Sequence, residues 1–200
     1  MVTVTTRPSS PRKDELLERA YRYALEHGLA DLSLRPLAAA IGSSPRVLLF
    51  LFGSKDGLVS ALLARARADE LAFLRRGDSE PADLAAMVTA TWQWLAADPV
   101  RPLLTLWTEA YARSLTEPDG AWSGFASQSV SDWLTVLRSA GPAGPASDAE
   151  ADRTLALAVL RGCLLDLLAT GDTDRVNAAV ARYTRMVADS HPGRSVDAYE

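Results

Sequence analysis

The sequence predicts an all-α protein of about nine helices, a small N-terminal three-helix unit containing a helix-turn-helix and a larger helical region after it. Three observations carry that expectation. Apolar residues recur at three- and four-residue spacing along most of the chain, and no strand-period alternation of useful length appears. Serines placed just before such runs, Ser33, Ser44 and Ser54, read as helix N-caps. Breaks rich in glycine and proline, Gly77 to Pro81 and Gly141 to Ser147, separate the periodic stretches.

Residues 1–10 carry no periodic pattern and are expected to form a disordered arm; Arg7, with Arg12 and Lys13 just after it, can lie along a phosphate backbone. Pro11 opens a first helix whose apolar stripe, Leu16, Leu17, Ala20, Tyr23 and Ala24, runs to Gly28. Tyr21 and Tyr23 cannot both face that core. His27 reads as a C-terminal capping residue.

Ser33 caps the second helix, Pro36 sits in its first turn, Leu37, Ala38 and Ile41 form its apolar face, and Gly42 ends it. Ser44 caps a third helix with Pro45 at its first position and Val47, Leu48 and Leu51 at helical spacing. Two short helices joined by a glycine-containing turn form a helix-turn-helix, whose second helix can enter a DNA major groove. Phe52-Gly53-Ser54-Lys55-Asp56 then reads as a turn and a newly capped helix, offering Ser54, Lys55 and free backbone N–H groups to a phosphate. That helix is expected to run to about Arg76 with Leu58, Leu62, Leu63, Ala66, Leu71 and Leu74 buried.

Arg35 with Leu37-Ala38, Ile41-Gly42-Ser43-Ser44, Leu48, and Phe52-Gly53-Ser54-Lys55-Asp56 with Leu58 together resemble the DNA-binding domain of the TetR family of one-component transcriptional regulators. The chain departs from the family where a tyrosine usually follows the leucine of the third helix and a histidine often precedes the phenylalanine: here stand Leu49 and Leu51, with Phe50 the nearest aromatic. The DNA-contacting set is expected to be Ser33, Arg35, Ser44, Pro45, Arg46, Val47, Phe50, Ser54 and Lys55. The resemblance implies that the connecting helix carries effector-induced movement to the DNA-binding domain.

Residues 1–10 are thus expected as the arm, 11–76 as the DNA-binding domain with its connecting helix, and 77–200 as the effector-binding and dimerisation domain. In the last part, helices are expected at about 81–97, 100–115, 119–140, 148–169 and 172–190. Leu103, Trp107, Tyr111 and Leu115 step by four; Trp122, Phe125 and Trp133 mark a second face, and Trp92 and Trp94 add bulk from a third helix. Beside ordinary core packing, these residues suit an aromatic-lined cavity for a small, largely apolar effector, with Trp92, Leu103, Trp107, Tyr111, Trp122, Phe125 and Trp133 as its walls. Thr108, Glu109, Arg113, Gln128 and Ser129 can supply polar contacts. Leu155, Val159, Gly162, Cys163, Asp166, Val176, Val180 and Tyr183 recur at helical spacing and form the expected dimer interface, a four-helix bundle about a two-fold axis as in the family. Asp166 reads as a satisfied polar contact or a cross-subunit pair, and Cys163 as a small buried hydrophobe.

Composition and charge agree. The net charge of −4 divides into +4 over residues 1–76 and −8 over the rest, so the part expected to meet DNA is the basic one. No run is long and apolar enough to span a bilayer, and the lone Cys163 excludes an intramolecular disulfide, so a cytoplasmic protein without membrane contact is expected. Catalysis is not expected: the two histidines, His27 and His191, are far apart in sequence, no helix carries metal-ligand spacing, and no phosphate-binding glycine loop appears. No cofactor and no metal are expected. The function anticipated is a ligand-responsive repressor that binds a palindromic operator as a homodimer on double-stranded DNA and is released by a small-molecule effector. The alternative is a small-molecule-binding or protein-interaction dimer of the same fold with little sequence-specific DNA binding, which the apolar Leu49 and Leu51 motivate.

Overall fold

The computed structural model describes residues 10–29, 31–74, 83–117, 119–140 and 148–190. The expected arm except Ser10, the breaks at 77–81 and 141–147, and His191 lie outside these residues. Among the described residues are nine α-helices and no strands: α1 Pro11–His27, α2 Leu34–Ala40, α3 Pro45–Phe52, α4 Lys55–Leu74, α5 Leu84–Leu95, α6 Arg101–Thr116, α7 Phe125–Arg138, α8 Ala149–Thr170 and α9 Thr173–Ser190. No single described helix is long and apolar enough to cross a membrane.

The chain divides into two compact units, one of residues 1–70 and 105–126, the other of 71–104 and 127–200. In the first, Leu16, Ala20, Ala24, Leu37, Leu48 and Leu58 are fully buried. The α1 stripe differs from expectation at its aromatic: Tyr21 is buried and Tyr23 half-buried, because Tyr21 lies under the Arg65 guanidinium of α4, 4.9 Å from its ring centre. Arg65 also pairs with Glu18 of α1 and Asp69 of its own helix. Tyr23 instead stacks on His27 at 4.0 Å, and the His27 Nδ1 donates to the Tyr23 carbonyl at 2.9 Å, closing the last turn of α1.

The helix expected from Asp119 to Ala140 is interrupted. Gly120 and Gly124 adopt φ of +81° and +72°, a left-handed conformation that side chains resist, so Trp122 sits in a short 3-10 turn, Gly120–Trp122, and α7 starts only at Phe125. Trp122 therefore shares no helical face with Phe125 and Trp133. Another 3-10 turn, Asp98–Val100, precedes α6. Leu115, expected on the apolar stripe of α6, is 67% exposed.

In the second unit, α5 packs on α8 and α9, and α8 on α9. Asp83 caps α5 by accepting the Ala86 N–H at 2.8 Å. The Trp92 indole donates to Asn177 Oδ1 of α9 at 2.7 Å, and Trp94 meets Trp133 with ring centres 6.4 Å apart.

Candidate DNA interface

The sequence folds residues 33–58 through local rules that can be checked one by one. Ser44 Oγ accepts the Val47 N–H at 3.3 Å and Ser54 Oγ accepts the Gly57 N–H at 2.9 Å, so both cap the helices that follow them. Ser33 occupies the cap position of α2 in extended backbone, but its side chain makes no capping hydrogen bond, a correction to the sequence expectation. Gly42, at φ +66°, turns the chain out of α2, and α2 and α3 cross at 102°, within the range of a helix-turn-helix.

The turn is braced from α1. Arg19 Nη1 donates to the Ile41 carbonyl at 3.2 Å while Nη2 holds Glu15 of its own helix at 2.6 Å. Sequence reasoning missed this residue, because a tie across 22 positions leaves no periodic signal. Arg19→Met is expected to cost about 1 kcal/mol by removing a bond to a part-buried carbonyl. Arg12→Met, which breaks only the exposed Arg12–Glu15 pair, is expected to cost close to nothing. Urea midpoints of the two variants decide it; equal losses would refute the bracing role.

On α3, Leu48 and Phe52 are buried, and successive residues turn by about 100°, so Phe50 points directly away from the core with Arg46 and Val47 beside it. Phe50 is 85% exposed, Val47 38% and Leu49 40%. Arg46, Arg35 and Lys55 are exposed and make no hydrogen bond or ion pair among the described residues. The expected residues Arg46, Val47 and Phe50 thus reach solvent on α3, Ser54 and Lys55 do so just after it, Ser33 and Arg35 lie exposed at the start of α2, and Ser44 and Pro45 are half-buried at the start of α3.

The same unit contains residues of α6. Glu109, expected to face an effector, accepts the Leu29 N–H through Oε2 at 3.0 Å in the turn after α1, while its Oε1 is buried with no hydrogen-bond partner among the described residues. Ser60 of α4 donates to the Ala121 carbonyl at 3.3 Å. Arg113 pairs with Glu117 at 2.7 Å and lies over the Trp122 ring. Trp107 and Tyr111 meet with ring centres 4.9 Å apart.

Of the expected effector walls, Trp107, Tyr111, Trp122 and Phe125 belong to the first unit, and Trp92, Leu103 and Trp133 to the second. The four tryptophans are buried; Leu103, Tyr111 and Phe125 are half-buried. A groove of about 440 Å³ in the second unit, between α5 and α9, has Trp92 in its wall with Thr89, Gln93, Asn177 and Val180. Gln128 bonds Asp132 at 3.2 Å, and the buried Ser129 accepts from Arg161 at 3.4 Å.

The expected dimer residues separate by the way they face. Val176 and Val180 are 1% and 3% exposed: α9 has a single apolar stripe, and its own unit buries it, which corrects their assignment to an interface. Asp166 forms a two-pronged pair with Arg175 of the same chain at 2.7 Å per bond, and this guanidinium holds its carboxyl below the usual range. Burial pushes the Cys163 thiol upward, as it does Tyr183, to about 12. Leu155 and Gly162 face solvent, and Val159, Cys163 and Tyr183 are half-buried. Leu165 and Met186, absent from the expected set, are 49% and 57% exposed. Among the described residues no group of three or more His, Cys, Asp or Glu side chains is placed to hold a metal ion.

Residues 16–62, from the first buried leucine of α1 into α4, match the family model described as bacterial regulatory proteins, tetR family. No curated protein matches the chain. Among solved structures, a TetR-family transcriptional regulator from Rhodococcus sp. superposes with a TM-score of 0.73 at 19% identity, covering 89% of this chain and 99% of that one. The multidrug binding protein EbrR complexed with proflavin gives 0.64 at 22% identity, over 86% and 98% of the two chains. A TetR transcription regulator from Haloarcula marismortui gives 0.65 at 20% identity, over 90% and 97%. The family match falls on the capped and braced helix-turn-helix, and the fold match extends over most of the chain: residues 16–62 are similar to the helix-turn-helix of bacterial regulatory proteins of the tetR family, set in a fold that solved TetR-family structures share.

Proposed function

We propose that the chain is a ligand-responsive repressor which, as a cytoplasmic homodimer, binds a palindromic operator through α3 of each subunit and leaves it when a small, largely apolar effector binds. Residues 11–76 serve as the DNA-binding domain and 77–200 as the effector-binding and dimerisation domain in this reading. The observation that carries it is the solvent-facing set Arg46, Val47 and Phe50 on α3, together with the exposed cations Arg35 of α2 and Lys55 of α4, which have no ion-pair partner among the described residues. A guanidinium suits a guanine edge, and Lys55 at a helix start suits a phosphate.

Dimerisation is supported by α8. Ala151, Leu155, Ala158, Gly162, Leu165 and Ala169 are all exposed and alternate steps of four and three, the spacing of a coiled-coil seam. A Cβ added to Gly162 would meet nothing within 4 Å in its own chain, so this mid-helix glycine has no packing reason there; close approach of a second helix gives it one. A two-fold pair packed along the α8 seams supplies two copies of α3 for two half-sites.

For the effector, the similar fold of EbrR, a multidrug binding protein complexed with proflavin and with imidazole, supports small-molecule binding here. The mechanism is linkage: an effector that prefers the conformation with wrongly spaced α3 helices weakens DNA binding by the factor by which DNA weakens effector binding.

The test is selection of source-genome fragments on the purified protein, followed by binding of the enriched site to two variants. Arg46→Ala is expected to lose about 1–3 kcal/mol on that site. Lys55→Ala is expected to weaken every duplex alike and to reduce the salt slope by about 1. Enrichment of nothing above bulk DNA would favour the second reading, a ligand-binding or protein-interaction dimer, which the 85% exposure of Phe50 motivates.

A further inference from the structure

The geometry points to a specific chemistry of recognition: α3 reads thymine 5-methyl groups, with a single guanine beside them, so that each operator half-site is a thymine cluster next to one G·C pair. This rests on the regulator reading above and adds which base edges it recognises.

Ser44, the cap residue at the start of α3, is half-buried and accepts the Val47 N–H at 3.3 Å, so it stands behind the outward face rather than on it. Leu48 and Phe52 are buried, and the Phe52 ring also carries the Lys13 ammonium, 5.2 Å from its centre. The outward face is then Arg46, Val47 and Phe50, which stand at i, i+1 and i+4 and so adjoin one another. It has one hydrogen-bonding group and two apolar ones.

The largest apolar feature a major groove presents on its base edges is the thymine methyl; elsewhere the edges carry donors and acceptors that an aromatic ring would strip of water without replacing it. Phe50 set against adenine, guanine or cytosine edges leaves a polar group unpaired, whereas against thymine it buries methyl and ring together. Arg46 supplies the bidentate contact to guanine O6 and N7. The Cα atoms of Arg46 and Phe50 are separated by four residues, a rise of about 6 Å along the helix. That is under two base steps of about 3.4 Å, so the thymines lie within about two pairs of the guanine.

The charges around this face select DNA over a protein occupant. Arg46 lies within the face, Lys55 opens the next helix just after α3, and Arg35 is exposed in the first turn of α2, all three without ion-pair partners among the described residues. An apolar protein groove would leave them unpaired, while phosphates and a guanine edge satisfy all three.

The test uses the full-length dimer and a duplex selected from a random-sequence library. Each thymine of a half-site is replaced in turn by deoxyuridine, which removes only the methyl and keeps pairing and phosphates. Loss of one buried methyl is expected to lower affinity about fourfold at each contacted thymine, and at no other. Phe50→Ala is expected to keep the parent's helicity and melting temperature, because the ring is 85% exposed, and to bind the thymine and uracil duplexes equally. A selected site whose affinity is indifferent to every uracil substitution would overturn the inference and leave the regulator reading standing. A library that yields no site above bulk DNA would overturn that reading, and the inference with it.

Discussion

Gly57→Ala is expected to destabilise the protein and to abolish operator binding, although alanine is the better helix former. Gly57 lies in the first turn of α4, and a Cβ built there would stand 2.1 Å from the Phe52 carbonyl oxygen and 3.3 Å from its carbon. The obstacle is backbone, the last residue of α3, so no side-chain rotation relieves it. Alanine gains about 1 kcal/mol of helix propensity over glycine. Forcing helices apart by an ångström costs about 1–3 kcal/mol and occasionally more, so the steric term wins. A chain of this size loses about 2–4 °C of melting temperature per kcal/mol. The effect on DNA is larger than the effect on folding, because the residue that must yield ends α3 and tilts Arg46 and Phe50 with it. Thermal unfolding by circular dichroism checks the first part and anisotropy with the selected operator the second; a variant melting above the parent with undiminished binding would show that α3 and α4 do not meet as described.

Replacing Leu155 and Leu165 together by glutamate is expected to give a folded monomer whose operator affinity is about 10²–10⁴-fold lower. Both side chains are about half exposed within their own chain, 54% and 49%, so charge there costs the isolated subunit little. In a two-fold dimer the change removes four leucines, each contributing about 1.5–3 kcal/mol when fully buried, and brings like charges together. The monomer can engage only one half-site, and the tethering that makes the second contact intramolecular is lost, which sets the size of the affinity change. Light scattering gives the mass and anisotropy the affinity. A variant that stays dimeric would place the interface away from the α8 seam.

How legible this was in the sequence depended on the range of the interactions. Ser44 and Ser54 cap as their positions predict because the bond spans three residues. The helix-turn-helix was readable for the same reason, since Pro45, Gly42 and the Leu48 and Phe52 pair are local signals. Spacing put Tyr23 on the α1 stripe where the fold buries Tyr21, because what decides between them is Arg65, which arrives from α4. Trp122, Phe125 and Trp133 mimic a helical face by spacing alone, while the conformations of Gly120 and Gly124 that end the face appear only in three dimensions. The outward face of α8 was hidden differently: Leu157, Leu160, Leu164 and Leu167 are buried and Leu155 and Leu165 are not, so the helix is apolar nearly all round and periodicity does not choose a side. On α9 the single stripe at Val176 and Val180 was visible, but one stripe can serve one partner, and the chain's own core takes it. Arg19 and Glu109, which tie the turns of the DNA-binding unit across 22 and 80 positions, had no sequence signature at all.

The central claim, that this chain reads DNA through α3 as a dimer, is tested most directly by anisotropy titration of one selected palindrome over a series of salt concentrations, beside the same duplex with one half-site scrambled. The account predicts a dissociation constant of about 10⁻⁸–10⁻¹¹ M at physiological salt, a steep fall in affinity as salt rises, and loss of most of that affinity on scrambling. Equal, weak and salt-insensitive binding to both duplexes would contradict it.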